Sequence, residues 1–190
     1  MIKLVFVDTE TTGLDAKKNG IVQIAGSMAR FDKELEIVER FNFRMRTLPN
    51  DVLEQTALDV NGLTVEQINS YPQPNEVHRV LTVLFGKYCD KYNKDDKMFL
   101  VGYNARFDYD FMREWFNKLN DKYFGSWFFF PPIDVMQTAI FNLMHERVFL
   151  PNFKQVTVAK HLGIEFGEGG AHDADADIKV TEAILQRYLK

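Results

Sequence analysis

Cysteine is almost absent. Cys89 is the one thiol among 190 residues, so the chain closes no intramolecular disulfide and builds no cysteine zinc site. Its expected role is that of a small buried apolar group. Long apolar runs are missing as well. No stretch approaches the ~18 apolar residues of a membrane span. The early run Leu4 to Val7 is shorter than the ~7–15 residue core of a signal peptide, and a cytoplasmic location is the default expectation. Positive charge is scarce: 23 Lys and Arg stand against 27 Asp and Glu, for a formal net charge of −4. A protein that grips long duplex nucleic acid through phosphates carries a basic surface. A nucleic-acid substrate of this chain would therefore be held locally, or through metal ions. No repeat, low-complexity tract or Gly/Ser linker divides the sequence, and one domain over residues 1–190 is the simplest organisation. Phenylalanine, in contrast, is plentiful at 17 residues, which gives a core much ring area to bury.

Strand signals come early. Ile2 to Val7 is nearly continuous in apolar residues, the pattern of a strand covered on both faces. Ile21 to Phe31 is apolar and small. "FNFRMR" alternates, with Phe41, Phe43 and Met45 on one face and Asn42, Arg44 and Arg46 on the other. Three strands with short breaks predict a meander. Helical signals follow at Asp51–Val60 and Thr64–Asn69, the latter with Thr64 as a cap and Gln67 three residues on. Pro74 opens a longer helix through Val77, Leu81, Leu84 and Tyr88. "MFLVGYN" is a fourth strand, followed by a helix that aligns Phe107, Phe111, Trp115 and Leu119. "WFFFPPIDV" holds a fifth strand ending near Asp134. Helices are expected over roughly 135–146, 153–162 and 173–188. The sum is an α/β chain with a mixed five-stranded sheet flanked by helices.

Chemistry concentrates at three places. The first strand ends in "DTETTG". Asp8 and Glu10, two apart, point to one face of a strand. Two like charges about 4 Å apart repel by roughly 4 kcal/mol at an effective dielectric near 20. Such a pair persists if one acid is protonated, if both are solvated, or if a cation lies between them. The second place is "GYNARFDYDF", where Asp108 and Asp110 fall in a first helical turn that favours acids, and Asn104 is placed to cap it. The third is "GGAHDADADIKV". Its aspartates are not a calcium loop, because Ile178 and Ile184 stand where an EF-hand needs Gly and Glu. On one regular helix His172 and Asp177 would lie about 140° apart. They serve one site only if His172 precedes the helix, and the Gly169-Gly170 pair makes that lead-in natural.

In order and spacing, Asp-x-Glu-Thr-Thr-Gly, Asn-Ala-x-Phe-Asp and His-x4-Asp resemble the DEDD exonuclease superfamily, histidine subtype, whose members include the proofreading epsilon subunits of bacterial DNA polymerase III. The resemblance spans residues 2 to about 188. It implies an RNase H-like fold. It implies that Asp8, Glu10, Asp108 and Asp177 hold metal, and that His172 is the general base. A tyrosine-subtype member would carry Tyr at 173, where this chain has Asp. The segment "ALDVNGLT" is similar to a family stretch near the bound 3′ end, but Asn61 stands where many members have His.

Read this way, the strand ends on two charges because cations occupy the space between them. Two Mg²⁺ ions, with Mn²⁺ as a substitute, would sit ~3.5–4 Å apart, neutralise the phosphate and lower the pKa of a water. Four carboxylates balance two divalent ions. His172, with an ordinary pKa near ~6.5, would take the water's proton. Thr9, Thr11, Thr12, Gly13, Leu14, Asn61 and Asn104 are the expected substrate contacts. Backbone amides of the Thr11–Leu14 turn would meet the terminal nucleotide. Leu14 either wedges against its base or is an ordinary buried residue. His78, His145 and His161 take surface or packing roles, since none has an acid at ligand spacing. Arg44, Arg46, Arg106 and Lys154 belong to a solvated face. The expected substrate is a few nucleotides of a single-stranded or frayed 3′ end, held in part by stacking, with DNA preferred to RNA and nucleoside 5′-monophosphates as products. The rival expectations are an RNA 3′ exonuclease with the same chemistry, a proofreading subunit on a DNA polymerase in a separate chain, and a non-catalytic binding module.

Overall fold

The computed structural model describes residues 1–165 and 174–189. Five strands form one sheet in the order β3-β2-β1-β4-β5. β1 (Ile2–Thr11), β2 (Ile21–Phe31) and β3 (Leu35–Arg44) make the antiparallel meander. β4 (Met98–Gly102) and β5 (Phe128–Asp134) run parallel to β1. This is the mixed, helix-flanked sheet of the RNase H-like class.

Burial on both faces explains why β1 reads as continuous apolar sequence. Val5 and Val7 join the core on one face. There they meet Leu81 and Phe85 of α3 (Pro74–Gly86) and Phe111, Met112, Trp115 and Phe116 of α4 (Ala105–Lys118). Leu4 and Phe6 join the opposite core. There they meet Val135 and Ala139 of α6 (Val135–Leu143), Val158 of α7 (Gln155–His161), and Ile178 and Ile184 of α8 (Ala174–Tyr188). Gly26 in β2 permits close packing between the strands: a Cβ there would lie 2.2 Å from the Phe6 carbonyl oxygen and 2.4 Å from the Phe41 ring.

The short helices are α1 (Gln55–Asn61), α2 (Val65–Ser70) and α5 (Phe124–Trp127). Thr64 and Gln67 form the expected capping box of α2. Helix boundaries differ from the sequence reading in places, and α3 ends at Gly86 rather than reaching Tyr88. α1 begins at Gln55 rather than Asp51, because the preceding backbone is used elsewhere: Val52 bridges Asn19, and the Glu54 amide donates to the Thr12 carbonyl at 2.8 Å. The helix expected over 135–146 is α-helical only to Leu143 and continues as a 3-10 turn, Met144–Phe149. Cys89 is buried, as expected, and burial pushes its thiol up to about 11. Among the described residues no helix is long and apolar enough to cross a membrane.

Candidate active site

β1 delivers the first acids. Side-chain alternation carries the face of Leu4 and Phe6 on to Asp8 and Glu10, toward α8. Thr9 points the other way, toward α4. Its backbone N–H and its hydroxyl both donate to one oxygen of Asp108, at 2.9 and 2.8 Å. Asp108 sits in the first turn of α4 and is only 3% exposed. Asp177 sits in the first turn of α8. The strand and two helix starts thus bring together acids that lie about 170 residues apart in the chain.

Their electrostatics show how close the gathering is. Burial pushes the Asp8 carboxyl well above the usual range, and the charges of Asp108, Glu10 and Asp177 all push the same way. Asp108 is pushed up to about 7, mainly by burial, although both Thr9 bonds favour its charged form. Desolvation outweighs two hydrogen bonds here. Hard carboxylate oxygens are the donors that Mg²⁺ takes, and acids that raise one another's pKa gain from a cation. The donor chemistry therefore fits a divalent metal. Among the described residues, no three or more His, Cys, Asp or Glu side chains are gathered closely enough to hold an ion as they stand. The acids share a field rather than a finished cage.

A groove of about 330 Å³ opens beside them, with Glu10, Thr11 and Gly13 on the β1 side and Ala57, Val60 and Asn61 on α1. Leu14 stands on its rim at 83% exposure, which excludes the buried-residue reading. Asn61 lines the groove and donates to the Thr11 carbonyl at 3.0 Å, so its amide also anchors the loop. The Thr11 hydroxyl donates to the Gly13 carbonyl at 2.8 Å.

Thr12 corrects the expected contact set. Its side chain is fully buried. Its hydroxyl donates to Val52 O at 2.7 Å and accepts from Gly20 N at 2.9 Å, and its amide donates to Gly20 O. It pins the loop from behind and has nothing left for a substrate. Thr9 reaches the groove, but its donors are committed to Asp108.

Asn104 holds the N-cap position of α4 without making a side-chain cap bond. Its backbone is left-handed, at φ 66°, and its amide donates to Asp134 Oδ1 at 3.2 Å. The expected capping role is thus replaced by a backbone turn that leaves the side chain exposed. His172 lies outside the described residues.

Sequence reasoning missed several partners. Phe107, read only as part of a helix face, lines the groove, and its position directly before Asp108 was the available signal. Asn19 and Glu54 carried no signal at all. His78 and His161 do meet acids: Asp121 at 3.1 Å and Glu146 at 2.7 Å. Those partners lie 43 and 15 residues away, beyond any local spacing. His78 also packs edge-on against Trp115 and Phe116, a packing role.

Sheet order, helical layers and clustered acids define a nuclease-type RNase H-like domain. The chain belongs to the Exonuclease family, whose model matches residues 5–185, and through it to the DEDD exonuclease superfamily. It is 28% identical over 188 residues to a DNA polymerase III PolC-type protein of Oceanobacillus iheyensis, covering 98% of this chain but 12% of that protein. It is 26% identical over 118 residues to a Ribonuclease T of Pectobacterium atrosepticum, covering 57% of this chain and 49% of that one. Among solved structures, E. coli Exonuclease I in complex with a dT13 oligonucleotide superposes with a TM-score of 0.77 at 22% identity. That match covers 98% of this chain and 41% of the other. The chain thus spans about a tenth of its PolC-type relatives' length.

Proposed function

We propose that this chain is a metal-dependent 3′→5′ exonuclease of the histidine subtype, releasing nucleoside 5′-monophosphates from single-stranded or frayed DNA ends. The observation that carries this reading is the convergence of Asp8, Glu10, Asp108 and Asp177, each raising the pKa of Asp8 or carrying the raised charge itself. A binding module has no use for four mutually repelling acids at the end of a central strand.

Asp8, Glu10 and Asp177 would hold one divalent ion, Asp8 would share a second, and Asp108 would act largely through water. Two Mg²⁺ or Mn²⁺ ions, when bound, neutralise the phosphate and activate the attacking water. His172 would serve as the general base toward that water. Leu14, Val60 and Phe107 present apolar surface to the terminal base. Asn61 offers an amide at the groove edge. Short-range grip of this kind agrees with a net charge of −4.

The matches to PolC-type polymerases and to an oligonucleotide-bound Exonuclease I favour DNA as substrate, and they support a DNA polymerase as partner and a cytoplasmic setting. The Ribonuclease T match favours an RNA end as the second reading. Matched DNA and RNA oligonucleotides labelled at the 3′ end test both, with and without EDTA. The expected result is release of labelled 5′-monophosphate with Mg²⁺, faster from DNA, and none with EDTA. Asp8→Ala and Asp177→Ala should each abolish release while the circular dichroism spectrum stays unchanged. Parental rates in Asp8→Ala would refute the mechanism.

A further inference from the structure

The groove's two walls come from distant stretches of chain, and one buried side chain joins them. Asn19 is 1% exposed. Its Nδ2 donates to Thr12 O at 3.3 Å, to Val52 O at 3.0 Å and to Glu54 Oε1 at 3.0 Å. Its Oδ1 accepts the Asp15 amide at 2.9 Å. The loop that carries Gly13 and Leu14 is therefore held at both ends by a single amide group. The same group holds Val52 and Glu54, which lead directly into α1, the opposite wall.

Gly13 fits this arrangement. A Cβ at that position would lie 2.3 Å from the Asn19 nitrogen and 2.5 Å from its oxygen. The lip packs directly on the amide and leaves no room for a side chain. Lys118 of α4 steadies the residue from behind, donating to Asn19 O and to Asp51 Oδ1, both at 2.7 Å.

We infer that Asn19 is a positioning residue for substrate binding, setting how far the Leu14 lip stands from α1 and so the fit of the terminal nucleotide. This inference rests on the exonuclease reading above. Asn19 touches neither the acids nor the substrate, and its influence belongs to binding rather than to the chemical step. An amide suits the position because its two N–H donors face three acceptor oxygens while its oxygen accepts one N–H.

Asn19→Asp keeps the volume and the acceptor but sets a carboxylate against Thr12 O, Val52 O and Glu54. The double variant N19D/E54Q returns a donor to one of those contacts. We expect Asn19→Asp to raise KM for a single-stranded oligonucleotide roughly tenfold, about 1.4 kcal/mol of binding free energy, with kcat changing less than about twofold. The double variant should recover part of the loss. Fluorescence anisotropy of a labelled oligothymidylate, with Ca²⁺ replacing Mg²⁺, should follow KM without requiring turnover. Thermal melting checks that each variant folds. An unchanged KM in folded Asn19→Asp, or a loss in kcat that tracks the melting temperature and is not rescued, overturns the inference. If the wild type binds the oligonucleotide but does not cut it, the exonuclease reading fails, and the anisotropy series alone decides the role of Asn19.

Discussion

Asp108 meets two opposing demands. Burial favours its neutral form, while the amide and hydroxyl of Thr9 favour the carboxylate. Burial wins, and the folded pKa of about 7 stands above the ordinary 3.8. The sign of the pH effect follows. An acid whose pKa is raised by folding contributes fully below its unfolded value, and that contribution is lost as pH rises through the folded value. The metal-free protein should therefore melt at progressively lower temperature between about pH 4 and pH 7, from the unfolded to the folded pKa of Asp108. Asp108→Asn should flatten the decline, and Mg²⁺ should oppose it. Differential scanning calorimetry in EDTA across that window is the measurement. A decline unchanged by Asp108→Asn would mean that Asp108 does not titrate in that window and that its buried carboxyl is not raised by folding.

α8 illustrates how an element is aimed. Its first turn carries Asp177, and its third is fastened to the sheet. Glu182 is buried and accepts from Ser27 of β2. It also pairs with Arg40 of β3 in a two-pronged contact, at 3.0 and 2.6 Å. From α7, Gln155 donates to Asp177 O and Thr181 Oγ1, both at 2.8 Å. Paired polar contacts fix rotation and register, which apolar packing of Ile178 and Ile184 alone leaves softer. Glu182→Ala strands a serine and a partly exposed arginine, and should cost roughly 1–3 kcal/mol of unfolding free energy. Urea denaturation reads that directly. A cost inside the ~0.5 kcal/mol range of ordinary surface changes would show that α8 is held by its apolar face alone.

At the scale of the whole molecule, periodicity made the layers legible. Continuous apolar sequence in β1 marked a strand covered twice, and alternation in "FNFRMR" marked a strand with one apolar and one polar face. Strand alternation placed Asp8 and Glu10 on one face, but Asp108 and Asp177 were picked out from neighbouring acids only by the order and spacing of motifs that resemble the exonuclease family, because a first helical turn favours any acid. The groove was less so. Thr12 looks like its neighbours in sequence, yet its partners, Gly20 and Val52, are 8 and 40 residues away. Leu14 has the composition of a core residue and the position of a rim residue. Asn19 sits in an ordinary polar turn, and only the folded chain shows what its amide joins. Long-range hydrogen bonds decided each of these, and they leave no local pattern.

The central claim is that these distant acids form one site for divalent metal. Anomalous scattering from crystals grown with Mn²⁺ tests it most directly. The account predicts two manganese peaks about 3.5–4 Å apart, between Asp8, Glu10, Asp108 and Asp177, with at least one lost in Asp177→Ala. A map with no manganese among these four side chains, at a metal concentration that supports wild-type turnover, would contradict it.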